Sequence, residues 1–151
     1  EYGNNIQGEI GYYVKCHNDN VYVVVSYYQT LKIYDSQQQL CCTLSKFDET
    51  NDIGLIKYDK DGNFIWATKI LGIYSEAGIA LTFEGDYVYV NGSFNSDNID
   101  FYNTDLNIGY NLTNSDPGIY YGFLAKYIWC LVLKSCCCKI SPKRFSRVFI
   151  E

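Results

Sequence analysis

The sequence predicts an all-β fold, and three observations predict it. Apolar residues alternate with polar ones over short runs bounded by Asn, Asp and Gly, the pattern of half-buried strands. Tyrosine is in excess, 16 of 151 residues; Tyr, Val and Ile favour a pleated surface packed on one face. One block of sequence also occurs twice. "GYYVKCHNDNVYVVVSY" (11–27) aligns without gaps on "GIALTFEGDYVYVNGSF" (78–94), which places Gly11 on Gly78, Asp19 on Asp86, Val21-Tyr22-Val23 on Val88-Tyr89-Val90 and Ser26 on Ser93, an offset of 67. Further on, "DIGLIKY" (52–58) falls on "YGFLAKY" (121–127) at an offset of 69. Two copies of one antiparallel unit follow from this periodicity.

Each copy reads as a four-stranded unit. In the first, 12–16 and 21–27 alternate around an Asn/Asp turn at 18–20, a hairpin signature. Residues 31–34 form a short strand and a polar loop runs over 35–52. Residues 53–58 and 64–71 make a second hairpin around Asp59-Lys60-Asp61-Gly62-Asn63. This acidic turn has the look of a calcium loop, but an EF-hand wants Gly at position 6 and Glu at position 12. Counted from Asp59, Gly comes fourth and the twelfth residue is Ile70. Asp-Gly between two strands is a turn, and Asp59 and Asp61 need only face water. No apolar period of 3.6 residues is sustained over helix length, so little helix is expected.

Against this background "GLIKYDKDGNFIWATKILG", followed by "SEAGIAL" and "GDYVYVNGSF", resembles the bacterial β-propeller repeat family often called SBBP. The shared features sit at Leu55 to Asp59, Gly62, Trp66, Gly72, Ile79 to Leu81 and Gly85 to Ser93, and "GFLAKY" (122–127) opens a further copy. The resemblance covers about 9–127. It implies antiparallel four-stranded propeller blades, and since a propeller needs four to eight, an incomplete, open β-propeller. Residues 1–10 would end a preceding blade or extend the N-terminus, 11–77 would be the first repeat, 78–127 an incomplete second and 128–151 a divergent Cys-rich basic tail. Blade edges and one blade face would be left open. Similar units occur in large DNA viruses, and the Asn, Ile and Tyr content fits an AT-rich genome.

After Tyr127 the repeat requires a Gly turn and a Trp, but "IWCLVLKSCCCKISPKRFSRVFIE" follows. Two readings stand open. Residues 128–133 are a closing strand with a divergent tail, or the reading frame has slipped. Trp129 is encoded only by TGG, and a Cys codon begins with T, so a one-base shift forces Gly here. If Leu131 is TTG, the shift restores Trp as well. The chain contains no Met, which predicts processing or a fragment of a longer product.

Charge and cysteine content narrow the function. Residues 1–133 carry 7 basic and 16 acidic side chains, and 134–151 carry 5 and 1. The acidic body argues against a nucleic-acid face, and the basic end reads as a solvated terminus. No apolar run is long enough to span a membrane. The seven cysteines include no Cys-x-x-Cys spacing and are odd in number, which predicts reduced thiols rather than zinc or a disulfide frame.

Chemistry-bearing patterns are few. His17 is the only histidine. It follows Cys16 directly, and neighbours on a strand face opposite ways, so the two do not make a nucleophile pair; a hairpin-turn histidine in water is expected. Asp97, Asp100 and Asp105 read as Asx-turn residues rather than a cation site. Neither a nucleophile elbow nor a phosphate loop occurs. Asn91 and Asn111 match the N-glycosylation pattern.

No catalytic, cofactor-binding or metal residue is therefore assigned, no cofactor is expected, and the compartment is left open. The sequence favours a non-catalytic binding or scaffold module. Its partner would be an unknown protein, or another copy through open blade edges. A decayed gene product is the alternative reading, and a hydrolase or lyase fragment a further one. The contact regions would be the loops at 35–52 and 95–118, with Tyr27, Tyr28, Tyr102, Tyr110, Tyr120 and Tyr121 in or near them.

Overall fold

Eleven strands and no helix occur among the residues described by the computed structural model, which are 10–46, 48–116 and 119–128. β1 (Ile10–His17) and β2 (Asn20–Tyr27) are joined by Asn18 and Asp19, both left-handed at φ 47° and 56°. Positive φ at both central residues matches the twist of the flanking strands. Asn and Asp tolerate it because their short polar side chains bond locally.

β3 (Leu31–Tyr34) and β4 (Leu40–Leu44) form a second hairpin, and β5 (Asp52–Asp59) and β6 (Phe64–Gly72) a third. β7 (Ala77–Glu84) and β8 (Tyr87–Phe94) follow, then β9 (Asn98–Tyr102), β10 (Ile108–Thr113) and β11 (Tyr121–Ile128). The succession β1-β2-β3-β4-β5 thus recurs as β7-β8-β9-β10-β11. β4, β9 and β10 lie inside the stretches expected to be loops, 35–52 and 95–118. Apolar residues do alternate in them, as Leu40-Cys42-Leu44, Ile99-Phe101 and Ile108-Tyr110-Leu112, but the surrounding Gln, Asn and Asp make the stretches read as loop. Their turns hold them.

The three hairpins β3-β4, β5-β6 and β9-β10 share one turn. Asp35 N donates to Gln39 O (3.0 Å), Asp59 N to Asn63 O (2.9 Å) and Asn103 N to Asn107 O (2.8 Å). The residue before each closing position is left-handed, Gln38 at 62°, Gly62 at 81° and Leu106 at 61°. The Asp35 carboxylate accepts from the amides of Gln37 and Gln39, and that of Asp59 from Asp61 and Asn63, all at 2.9 Å. The acidic segment at 59–63 is thus a hairpin turn, as expected. Asp59 is not merely solvated, because its carboxylate organises the turn; the hydrogen bond from the Asn63 side chain (2.8 Å), followed by those from the Asn63 and Asp61 amides, holds its pKa below the usual carboxylate range.

All strand pairs are antiparallel, and the sheets are open. Four strands, β1-β2-β5-β6, stand side by side, but the sheet does not end there. β9 and β10 add to it, giving the order β1-β2-β5-β6-β9-β10. The added contact is short, Ile70 opposite Phe101, Leu71 opposite Asp100 and Gly72 opposite Ile99. A second sheet has the order β11-β8-β7, and β3-β4 stand as a pair.

Side chains alternate across these sheets. From the large sheet Tyr22, Val24, Ile53, Leu55 and Ile70 meet Leu81, Val88, Val90, Phe123, Ala125 and Tyr127 of the small one. The opposite face of the large sheet carries Val25, Tyr27, Ile56 and Ala67, packed under Leu31, Ile33 and Leu44 of the β3-β4 hairpin. β2 and β5 are therefore buried on both faces, which explains why "VYVVVSY" and "DIGLIKY" read as almost continuous apolar runs.

The tail predicted for 128–151 and the extension at 1–10 lie, apart from the backbone of Ile10 and Ile128, outside the described residues. So do Cys130, Cys136, Cys137 and Cys138.

Candidate functional site

The outward face of the small sheet carries an open apolar groove. Ala80, Thr82, Tyr89, Asn91, Leu124 and Lys126 stand on it by register. All of these but Lys126 line, with Ile79 and the 119–122 segment, a groove of about 710 Å³. Ile79, Ile119 and Tyr120 are each more than half exposed, and Leu124 is 39% exposed. Exposed apolar side chains scattered singly are ordinary, but a contiguous set marks a surface that something covers.

The polar members of this face form one chain. Lys126 sits opposite Tyr89 across the β8-β11 ladder. Its Nζ lies 3.4 Å from the Tyr87 ring centroid and 5.2 Å from that of Tyr89. The Tyr89 hydroxyl donates to Glu84 (2.8 Å). The hydrogen bond that its ammonium donates to the Tyr89 oxygen is the first of the influences that raise the Lys126 pKa.

The large sheet carries the same pair in a different setting. Tyr22 stands opposite Lys57 across β2-β5, with Lys57 Nζ 5.4 Å from the ring centroid. In the sequence alignment Tyr22 falls on Tyr89, Leu55 on Leu124 and Lys57 on Lys126. Both members of the Tyr22–Lys57 pair are buried, and the Phe83 ring of the small sheet caps Tyr22 at 4.7 Å. The corresponding face around Tyr89 is open.

A second constellation is buried where the loops at 45–52, 72–76 and 95–97 converge. Lys46 Nζ contacts Asp52 Oδ2 at 2.6 Å and Asp48 Oδ1 at 3.0 Å, and also reaches the Thr50 carbonyl. Gly72 N donates to Asp52 Oδ1 (3.0 Å). Ser96 donates to Glu76 Oε1 and accepts from Tyr74 N (2.8 Å). Glu76 is 1% exposed, and its Oε2 has no donor. Asp52, itself an acceptor, is its carboxyl neighbour. Two acceptors satisfy one another only if one keeps its proton. Burial, with Asp52 adding to it, pushes the Glu76 pKa up to about 8. Burial also raises Asp52, opposed by Lys46 and the Gly72 amide. The proton therefore resides on Glu76. Both carboxyls are closed off from solvent, so the pair acts as a polar tie between three loops.

The residues singled out in the sequence fall in several places. Tyr27 is buried, Tyr28, Tyr102, Tyr110 and Tyr121 are half-buried, and Tyr120 is exposed beside the groove. His17 is not free in water. Its ring stacks on Phe83 (4.4 Å, 4° between planes), and Nε2 lies 3.3 Å from Gly85 O. The β1-β2 turn had to reach across to the small sheet for this, a contact invisible in local sequence. Cys16 points to the other face and is exposed, and Cys41 and Cys42 are free thiols.

Asp100 accepts from Asn111 Nδ2 (2.8 Å) and Asp105 from Asn107 N (3.1 Å). Among the described residues no group of three or more His, Cys, Asp or Glu is placed to hold a metal ion. No described helix is long and apolar enough to cross a membrane. Sequence reasoning missed Ile79, Tyr89 and Leu124 as surface residues. The signal was present in the alignment, where Tyr89 and Leu124 match positions buried in the first copy.

Comparison with protein families, with curated proteins and with solved structures finds no match.

Proposed function

We propose that this chain is a non-catalytic repeat module of the β-propeller type, which acts by binding protein through the outward face of β11-β8-β7. The observation that carries the reading is the Tyr–Lys cross-strand pair, present on two sheets, covered on one and open on the other. Within a repeat architecture each unit buries one face against the next, so a face that no described residue covers is one a partner can take. Lys126, Tyr87 and Tyr89 suit such a role, because an ammonium over aromatic rings and tyrosines with polar tips serve at half-wet interfaces. The domain reading that goes with it is a first repeat at 11–77 and a second at 78–127.

The decayed-product reading predicts a chain without fixed packing, and one experiment separates the two. In dilute solution the protein is titrated with anilinonaphthalene sulfonate, an apolar dye, while near-UV circular dichroism reports its packing. A folded module with an open face gives a native aromatic spectrum and binds the dye, and Ile79→Glu with Leu124→Glu removes most of that binding with little change in Tm. Dye binding that survives both substitutions, together with a flat near-UV spectrum, is the signature of a loosely collapsed chain and would overturn the reading.

A further inference from the structure

The internal junction shows what kind of surface covers the Tyr–Lys face, and the chain carries a second example of that surface. Over Tyr22, Leu55 and Lys57 lies the inward face of the small sheet, where Leu81, Phe83, Val88 and Val90 do the covering. By the offset of 67 these positions correspond to Val14, Cys16, Val21 and Val23 of the first copy. Those four residues share one face of the β1-β2 hairpin, since Val14 stands opposite Val23 and Cys16 opposite Val21. They face away from the small sheet. Val14 is 64% exposed, Cys16 is exposed, and Val21 and Val23 are half-buried. In both copies a hairpin covers only one end of that face. β3-β4 packs on Val25, Tyr27 and Ile56. β9 brings Ile99 and Phe101 against Phe94 and Phe123, with Phe101 and Phe123 5.3 Å apart.

Resting on the repeat-module reading above, we infer that the occupant of the open Tyr89–Leu124 face is a second copy of this chain, which seats its Val14–Val23 face there and so continues the internal junction. The contact is heterologous, head to tail, since the two faces differ. Each added copy presents a fresh Tyr89–Leu124 face, so association runs on to a closed ring or an open stack. It is a face-to-face contact, distinct from pairing at the sheet edges.

Sedimentation velocity of the full chain over a rising concentration series tests this. The weight-average mass of the wild type is expected to at least double. Leu124→Asp breaks one face and Val14→Asp the other, and both positions are exposed enough to leave the core alone. Each variant alone is expected to remain monomeric. Mixed in equal amounts, they are expected to form a one-to-one dimer and stop there, because the intact Tyr89 face of Val14→Asp meets the intact Val23 face of Leu124→Asp. A wild type that stays monomeric at every concentration would overturn the inference. If it does so with native near-UV dichroism and dye binding lost in Leu124→Asp, the binding-face reading survives and the occupant is a different protein or another segment of this chain. Self-association that Val14→Asp leaves intact would equally overturn it, since that is an isologous or edge contact. A flat near-UV spectrum in the wild type would overturn both readings.

Discussion

Among the described residues no cation pairs with Glu76, and Lys46 is committed to Asp48 and Asp52. The neutral acid is the form the fold accepts, and this has a consequence for stability. Its pKa moves from 4.5 in the free side chain to about 8 in the fold. Between those two values the unfolded chain has lost a proton that the folded chain keeps. Folding then takes up a proton, so stability from this group is complete below about pH 4.5 and is lost as pH rises through about 8. The slope approaches about 1.4 kcal/mol per pH unit. Glu76→Gln keeps a donor toward Asp52 but cannot ionise. It is expected to be more stable than the wild type at pH 8 by a few kcal/mol, with the gap closing towards pH 4.5. Urea unfolding at four pH values across that range measures it, and parallel curves for the two proteins would refute the assignment of the proton. Nothing in "SEAGIAL" shows this chemistry. An acid before a strand reads as a loop residue, and its burial depends on Asp52 and Ser96, both 20 or more residues away in sequence.

Hairpins are where this chain is most and least legible. The β5-β6 turn could be read directly, because Asp59 and Gly62 are the residues its backbone asks for. The β3-β4 and β9-β10 turns have the same hydrogen bonds but put Gln38 and Leu106 at the left-handed position. Without Gly there, the stretches 35–52 and 95–118, which hold β4, β9 and β10, read as loops, while β3 reads as a strand. The geometry makes an opposed pair of predictions. A leucine at φ 61° bears a steric cost of about 1–2 kcal/mol, part of which glycine would return in unfolded-chain entropy. Leu106→Gly is therefore expected to stabilise the protein by up to about 1 kcal/mol. Gly62→Ala is expected to destabilise it by a similar amount, since φ is 81° and the new Cβ would meet Ser36 Cβ at 3.0 Å. Thermal unfolding checks both. A fall in Tm for Leu106→Gly would mean that the Leu106 side chain contributes more by packing than its backbone costs.

At the scale of the whole molecule, alternation and repeat length foretold antiparallel sheets but not which strands would meet. The β9-β10 hairpin leaves its own set and pairs with β6 through three residues, and no local pattern encodes that choice. The two sheets then depend on a packed junction rather than on hydrogen bonds, because β11, β8 and β7 pair with no strand of the large sheet. Gly78 of β7 packs directly on the large sheet. A Cβ there would stand 2.5 Å from Val24 Cγ1 and 3.0 Å from Ile53 Cγ2, both in the buried core. Val24 and Ile53 sit in central strands buried on both faces and have little room to yield, so Gly78→Val must move the small sheet outward. Overpacking of this kind costs about 1–3 kcal/mol, and the cost falls unevenly. Amides of β8 and β11 are expected to lose protection from hydrogen exchange first, while β2 and β5, covered on their far side by the β3-β4 hairpin, keep most of theirs. Exchange followed by mass spectrometry resolves the two sheets. Equal loss across both would mean that they unfold as one unit, and that the junction is as cooperative as the ladders within each sheet.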